Sequence, residues 1–180
     1  MAGHNDATLG VVSGERDLID ALWGFAVLQG ACASPFDALN GLRGLRTLAP
    51  RLRQQGATAV AVGRALESHP AVNWVRHPGL ESHPQFALGQ RQYRMHGGVL
   101  SFDLAGGVEA GSTFVSAVKL CRPATSLGGP ETLVTHPAST THAGMTSEEL
   151  SDCGITGGTV RLSCGLEHVD DIIADILQAL

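Results

Sequence analysis

Residues 159–180 read TVRLSCGLEHVDDIIADILQAL, a short apolar run followed by a periodic one. The run at 159–164 predicts a buried strand that carries one charged residue, Arg161. The later apolar residues recur with the spacing of one helix face; they are Val169, Ile172, Ile173, Ile176, Leu177 and Leu180. Asp170 and Asp171 stand in the first turn, where the helix dipole favours negative charge. The sequence therefore predicts a strand that leads into a C-terminal helix.

The residues before this stretch mix helical periodicity with short apolar runs, which indicates an α/β fold. Strands are predicted at residues 9–12, 72–75 and 98–104, and helices at 17–29 and 108–120. Ser34 and Pro35 predict the start of another helix, because serine caps helices and proline fits their first turn. Pro50 should kink that helix before it resumes at 52–66, so we expect a long, bent helix.

The composition excludes several classes of protein. The chain has 180 residues and a formal net charge of −5, and its arginines are scattered, so it offers no basic face for nucleic acid. No signal peptide and no run of apolar residues long enough for a membrane span is present, so we expect a cytoplasmic protein. The cysteines form no CxxC pair and are expected to be reduced, packed thiols; they are Cys32, Cys121, Cys153 and Cys164.

Metal and nucleophile motifs are absent from the sequence. The eight histidines include no pair at the helical i, i+4 spacing of metal ligands, so no metal site is predicted. No Gly-x-Ser-x-Gly elbow occurs, and no cysteine stands beside a base. The Gly106-Gly107 and Gly128-Gly129 pairs are interpreted as turns, because neither gives the GxGxxG pattern of a phosphate loop.

Arg161 is the clearest candidate for a functional side chain. An unpaired guanidinium in an apolar strand is costly to bury, so Arg161 should meet an anion. Two interpretations stay open at this point. The anion is either an internal carboxylate or the carboxylate of a substrate, which the planar fork of arginine binds in a bidentate manner.

A set of short motifs recurs in a fixed order along nearly the whole chain. They are RGLRTL at 43–48, GGVLSF at 97–102, SLGG at 126–129 with Glu131, HPA at 136–138, TH at 141–142, GI at 154–155, RLS at 161–163 and GLE at 165–167. Together they resemble the C-terminal part of the Cys/Met-metabolism family of pyridoxal-phosphate enzymes.

The resemblance implies a fold-type-I architecture and assigns roles to particular residues. Residues 1–60 would be the end of the large cofactor domain with the long connecting helix, and residues 61–180 the small α/β domain. Substrate binding falls to Arg161, which would hold the α-carboxylate, and to Thr125, Ser126 and Leu127. Thr125 stands where some γ-cleaving members carry glutamate, which disfavours a distal amino group and favours a smaller or uncharged γ-substituent.

The catalytic lysine of the family has no counterpart in this chain. The single lysine, Lys119, lies in an amphipathic stretch, and residues 3–6 (GHND) match the tail of the family's lysine motif, which places that lysine two positions before Met1. The cofactor, pyridoxal 5'-phosphate, needs such an amine to act as an electron sink. We therefore expect no catalytic residue on this chain and a hetero-oligomer in which a cofactor-domain chain of the same family supplies the lysine.

The predicted reaction of that assembly is β- or γ-elimination or replacement on a small amino acid with a sulfur or oxygen substituent. Two alternatives remain. The chain is a non-catalytic protein that binds and regulates a full-length relative, or it is a fragment of an ordinary family enzyme.

Overall fold

The structure is a computed structural model that describes all 180 residues, and the chain divides into two compact units. Unit 1 comprises Met1–Leu48 and unit 2 comprises Ala49–Leu180. This division separates two parts of the chain that are each compact, and it does not test a functional boundary. The functional boundary that the resemblance implies near residue 60 stays a prediction.

Unit 1 contains two helices, α1 at Arg16–Gln29 and α2 at Pro35–Arg46. Both were predicted, and Ser34 caps α2 by accepting a hydrogen bond from the backbone N–H of Asp37, with Pro35 at the first helical position. The strand predicted at residues 9–12 is wrong. Val11 and Val12 are exposed, and no neighbouring strand is available to pair their backbone groups.

The predicted long helix with a kink at Pro50 is also wrong in its detail. Helix α2 ends at Arg46, Thr47 follows as its C-cap, and a new helix, α3, begins at Leu48 and runs to Glu67. Pro50 thus lies in the first turn of α3. The N–H groups of a first turn have no intrahelical partner, so proline disturbs nothing there.

Unit 2 is built on a five-stranded sheet in the order β1-β2-β5-β4-β3. The strands are β1 (Val72–Arg76), β2 (Val99–Leu104), β3 (Arg122–Pro123), β4 (Leu133–Thr135) and β5 (Thr159–Ser163). All neighbours are antiparallel except β3 and β4, which are parallel. The α/β fold and the strands near 72, 98 and 159 are as predicted, whereas β3 and β4 were too short to show a pattern in the sequence.

Helices complete unit 2. Besides α3 they are α4 (Phe86–Gln92), α5 (Gly107–Ala117), α6 (Ser147–Asp152) and α7 (Val169–Ala179), and Pro137–Ser139 forms one 3₁₀ turn. The predicted helix at 108–120 ends early, at Ala117. Asp175 of α7 accepts the backbone N–H groups of Lys119, Leu120 and Cys121 at 2.7, 2.9 and 2.8 Å, which draws them out of the helix. Lys119 is therefore an exposed loop residue and not a helical one.

The core of unit 2 lies between one face of the sheet and helices α3, α5 and α7. Phe102 of β2 and Phe114 of α5 meet edge to face, with ring centroids 5.4 Å apart. The periodic face of α7 adds Ile172 and Ile176, which are fully buried. None of the helices combines the length and apolar character needed to cross a membrane.

The four cysteines are free, but they do not share one environment. Cys121 and Cys164 are buried, as predicted, whereas Cys32 and Cys153 are exposed. The prediction of packed thiols is wrong for the exposed pair, because each lies outside the sheet and its covering helices.

Candidate functional site

The alternation of side chains along β5 places Arg161 on the sheet face opposite the core. Its neighbours Val160 and Leu162 are both completely buried against the helices, whereas Arg161 is only half-buried. Successive strand residues point to opposite faces, so a charged residue between two core residues must face away from the core. The strand therefore carries the charge of Arg161 outside the apolar interior.

The contacts of Arg161 fix its guanidinium against the loop at residues 125–129. One terminal nitrogen, Nη2, donates to the backbone oxygen of Thr125, to that of Ser126 at 2.9 Å and to Thr135 Oγ1 at 3.4 Å. None of these partners is a carboxylate. The internal ion pair that the sequence left open is therefore not formed.

One donor of Arg161 has nothing to bind. Its Nε is buried and has no hydrogen-bond partner in the chain. Buried polar groups are almost always hydrogen-bonded, and an unmet charged donor is costly. The guanidinium of Arg161 therefore keeps hydrogen-bonding capacity that no group of the chain uses.

The loop at residues 125–129 is held from two sides. Its Gly128 N–H donates to Ser163 Oγ at 3.0 Å, and Gln55 Nε2 of α3 donates to the carbonyl of Gly129 at 2.8 Å. Gly128 has a φ of 74°, which non-glycine residues rarely adopt. These contacts set the two carbonyls that Arg161 reaches, so Gln55 and Ser163 are positioning residues for the guanidinium.

The structure brings together three of the four residues predicted to bind substrate. Thr125 and Ser126 meet Arg161 through their backbone oxygens, and both side chains are exposed. Leu127 is adjacent in the loop but forms no hydrogen bond to Arg161, and its side chain is 55% exposed. The substrate-binding roles of these residues stay predictions.

Gln55 was missed in the sequence because a glutamine in the run RQQG looks like any solvated helix residue. Its burial, at 2% exposure, depends on the loop that packs over it, and no periodic pattern reports that contact. Ser163 had a signal, since it belongs to the RLS motif beside Arg161.

A cavity of about 360 Å³ opens beside Arg161. Its lining includes Trp74 and Arg76 of β1, Ser101 of β2, and His142. No aspartate or glutamate contributes to the lining. The cavity is large enough for a small amino acid, and its charged side chains favour an anion.

The buried cysteines are unsuited to nucleophilic chemistry. Burial, with a further contribution from the charge of Glu167, raises the pKa of the Cys164 thiol to about 12. Burial and the neighbouring Asp175 raise the pKa of Cys121 even further. Both thiols stay protonated at neutral pH, and the thiolate is the reactive form.

Neither the two buried histidines, His77 and His136, nor the lysine lines the cavity beside Arg161. No group of three His, Cys, Asp or Glu side chains could hold a metal ion. The buried His77 and His136 bond to the backbone oxygens of Gly97 and Gly157 at 2.9 and 2.8 Å, so they fasten loops. Lys119 is exposed and does not line the cavity beside Arg161.

Known proteins similar to this chain are enzymes of amino-acid metabolism. The chain is 46% identical to the L-methionine gamma-lyase of Pseudomonas deceptionensis over 182 residues, which covers 100% of this chain and 46% of that protein. It is 40% identical to the cystathionine gamma-lyase of Dictyostelium discoideum, and that match covers 99% of this chain and 46% of that protein. The chain thus spans about half the length of the curated relatives it matches.

Solved structures give the same result. The crystal structure of cystathionine gamma synthase from Xanthomonas oryzae pv. oryzae, in complex with aminoacrylate and cysteine, matches with a TM-score of 0.91 and 43% identity. The match covers 99% of this chain and 46% of that one. The family described as Cys/Met metabolism PLP-dependent enzyme matches residues 1–180. With these motifs, this fold and these relatives, the chain belongs to the Cys/Met-metabolism family of pyridoxal-phosphate-dependent enzymes.

Proposed function

We propose that this chain is the C-terminal part of a pyridoxal-phosphate-dependent enzyme that eliminates or replaces a β- or γ-substituent on a sulfur- or oxygen-substituted amino acid. In this proposal Arg161 binds the α-carboxylate of the substrate. The observation that carries it is the guanidinium of Arg161, which lines a cavity, has no internal carboxylate and keeps a buried Nε without a partner. We place this enzyme in the cytoplasm.

The chemistry of the residues supports a carboxylate clamp. Arginine presents several N–H donors in a rigid plane, and charge-assisted hydrogen bonds to a carboxylate strengthen in a partly desolvated site. The carbonyls of Thr125 and Ser126 already orient the guanidinium, so little side-chain freedom is lost on binding.

The residues of this chain do not by themselves fit the cofactor. Pyridoxal phosphate supplies an electron sink when it is bound through an amine. The one lysine here, Lys119, lies outside the cavity, and its backbone N–H is held by Asp175. We therefore propose that the lysine comes from polypeptide outside these 180 residues, in the first instance from a separate cofactor-domain chain in a hetero-oligomer.

The surface of unit 1 supports an association of this kind. Trp23, Phe25 and Leu28 of α1 are 65%, 64% and 85% exposed. Clusters of large exposed apolar side chains mark surfaces that bind other proteins.

A complementation experiment tests the proposal. In one arm the chain is mixed with pyridoxal phosphate alone. In the other arm the mixture also contains the lysine-bearing remainder of the Pseudomonas deceptionensis relative, which is the part of that protein that this chain does not match. We expect a stoichiometric cofactor absorbance only in the second mixture, and release of a 2-oxo acid only when L-methionine is added to that mixture. Neither should occur when the lysine of the partner is replaced by alanine. A stoichiometric band in the chain alone that Lys119→Ala removes would contradict the proposal.

The role of Arg161 is tested by Arg161→Lys in the active mixture, with Arg122→Lys as the matched control on an exposed strand residue outside the cavity. Losing a bidentate contact should cost roughly 2 to 4 kcal/mol of substrate binding, because lysine cannot reproduce the fork. Unchanged substrate affinity with a lowered Tm would make Arg161 a structural residue. Binding to a full-length relative without any dependence on Arg161 would favour the non-catalytic regulator instead.

A further inference from the structure

Four residues form a row across the sheet face that carries Arg161. The strand register pairs Arg76 of β1 with Ser101 of β2, Ser101 with Arg161 of β5, and Arg161 with Thr135 of β4. Residues directly opposite each other in antiparallel strands point to the same face. Arg76 and Arg161 are thus separated by a single strand, and their Cα atoms are about 10 Å apart at the usual spacing between strands.

Arg76 is as free of acidic partners as Arg161. Its guanidinium lies over the ring of Trp74, 5.2 Å from the centroid, and forms no hydrogen bond or ion pair with the chain. Asp103, two residues from Ser101 on β2, is already engaged by Asn73 Nδ2 at 2.7 Å and by the hydroxyl of Thr156. Stacking on an aromatic face orients a guanidinium while its N–H edge stays available.

Both arginines line the same cavity of about 360 Å³, together with His142. The absence of acidic side chains in this lining contrasts with the chain as a whole, whose formal net charge is −5. A cavity lined by one sign of charge concentrates ligands of the opposite sign. Two separate cationic groups fit a ligand with two separate anionic groups better than they fit a single carboxylate.

We propose that Arg76, held by Trp74, is a second anion-recognition residue that selects amino acids with a carboxylate at the far end of the side chain. This inference rests on the proposed function, because it places the α-carboxylate on Arg161. The guanidinium of Arg161 is held against the 125–126 loop, and that of Arg76 is held over Trp74. A ligand that meets both guanidinium groups therefore carries its two carboxylates at opposite ends of its carbon chain. The earlier expectation of a small or uncharged γ-substituent considered Thr125 alone, and the second arginine changes it to an anionic one.

The experiment follows the Nε–H signals of arginine by NMR in the full chain labelled with ¹⁵N. The two probes are L-2-aminoadipate, which has a distal carboxylate, and L-norleucine, which has the same carbon chain ending in a methyl group. We expect both probes to shift the Arg161 signal and only 2-aminoadipate to shift the Arg76 signal. We expect 2-aminoadipate to bind about three- to tenfold more tightly, as for a partly exposed charge pair with good geometry.

Variants separate this inference from the proposed function. Arg76→Gln should abolish the preference for 2-aminoadipate and leave norleucine binding unchanged, whereas Arg161→Gln should weaken both probes. Arg122→Gln, at an exposed arginine of β3 outside the cavity, should leave the preference intact.

Each other outcome has a definite meaning. If Arg161 responds to both probes but Arg76 does not, or if the preference survives in Arg76→Gln, the inference is wrong and the proposed function stands. If Arg122→Gln reduces the preference as much as Arg76→Gln, general electrostatic attraction explains it and the inference is again wrong. If neither probe shifts Arg161, the carboxylate clamp itself is wrong.

Discussion

Helix α1 of unit 1 and helix α7 of unit 2 both carry many apolar residues, yet only one of them packs. No residue of α1 is buried, and Trp23 is 65% exposed, whereas Ile172 and Ile176 of α7 are 0% and 1% exposed. Apolar residues in α1 lie on more than one side of the helix, whereas those of α7 form one stripe. Helical periodicity predicts both helices, but tertiary packing supplies most helix stability. We therefore expect unit 2 to be stable as it stands and unit 1 to contribute little to stability.

The largest effect should come from a pair of phenylalanines, one in each unit. Phe102→Ala empties a fully buried site against Phe114 and should cost about 3 to 5 kcal/mol, whereas Phe25→Ala at a 64% exposed site should change stability by less than about 0.5 kcal/mol. The free energies of unfolding can be measured by urea denaturation.

The two tryptophans allow the units to be followed separately. Trp23 lies in α1 and Trp74 in β1, so Trp23→Phe leaves a fluorescence reporter in unit 2 and Trp74→Phe leaves one in unit 1. Comparable losses of unfolding free energy in Phe25→Ala and Phe102→Ala would show that the apolar surface of unit 1 is packed in solution. The proposed difference in stability between the two units would then be wrong.

A smaller effect is expected from a pair of aspartates that both cap backbone N–H groups. Burial alone would raise the pKa of Asp175, but its hydrogen bonds from Cys121, Lys119 and Leu120 outweigh burial and hold the pKa below the ordinary value of 3.8. Asp175→Asn weakens these charge-assisted bonds and should cost about 2 kcal/mol. Asp37 of unit 1 is only half-buried and accepts a single backbone N–H, from Thr8, besides the hydroxyl of Ser34, so Asp37→Asn should matter less.

The pH dependence of stability follows from the sign of the Asp175 shift. A carboxylate whose pKa is lowered on folding stabilises the fold fully above its unfolded pKa, and the stabilisation is lost as the pH falls through the folded pKa. In the wild type, the stability of unit 2 should therefore fall below about pH 4. The fall should be shallower in Asp175→Asn, and an unchanged pH profile in that variant would exclude this role for Asp175.

The sequence predicted what depends on local pattern and failed where distant residues decide. The strand at 159–163 and helix α7 follow from their own apolar spacing. The motifs around Arg161 indicated a candidate site there, and its role in substrate binding stays a prediction. The early end of α5 could not be predicted, because its cause is Asp175, more than fifty residues away in the chain. The positioning role of Gln55 and the shared face of Arg76 and Arg161 were hidden for the same reason, since both depend on how strands and loops meet.

The strand predicted at 9–12 failed for a related reason. Its four residues match a strand pattern, but a strand needs a partner, and this segment pairs with no strand of the sheet. Local pattern therefore predicts the conformation that a segment can adopt, while burial depends on the neighbours it finds.

The smallest effect concerns thiol reactivity and involves no change in stability. Cys32 in unit 1 and Cys153 in unit 2 are exposed, whereas Cys121 and Cys164 are buried with raised pKa values. Because the thiolate is the reactive form, two thiols should react with a disulfide reagent in the native chain and four after denaturation. Mass spectrometry of the labelled peptides assigns the sites. The serine variants Cys32→Ser and Cys153→Ser should each remove one fast-reacting thiol. Fast labelling of Cys121 or Cys164 in the native chain would mean that unit 2 opens readily. The two units would then differ less in stability than the packing of α1 and α7 indicates.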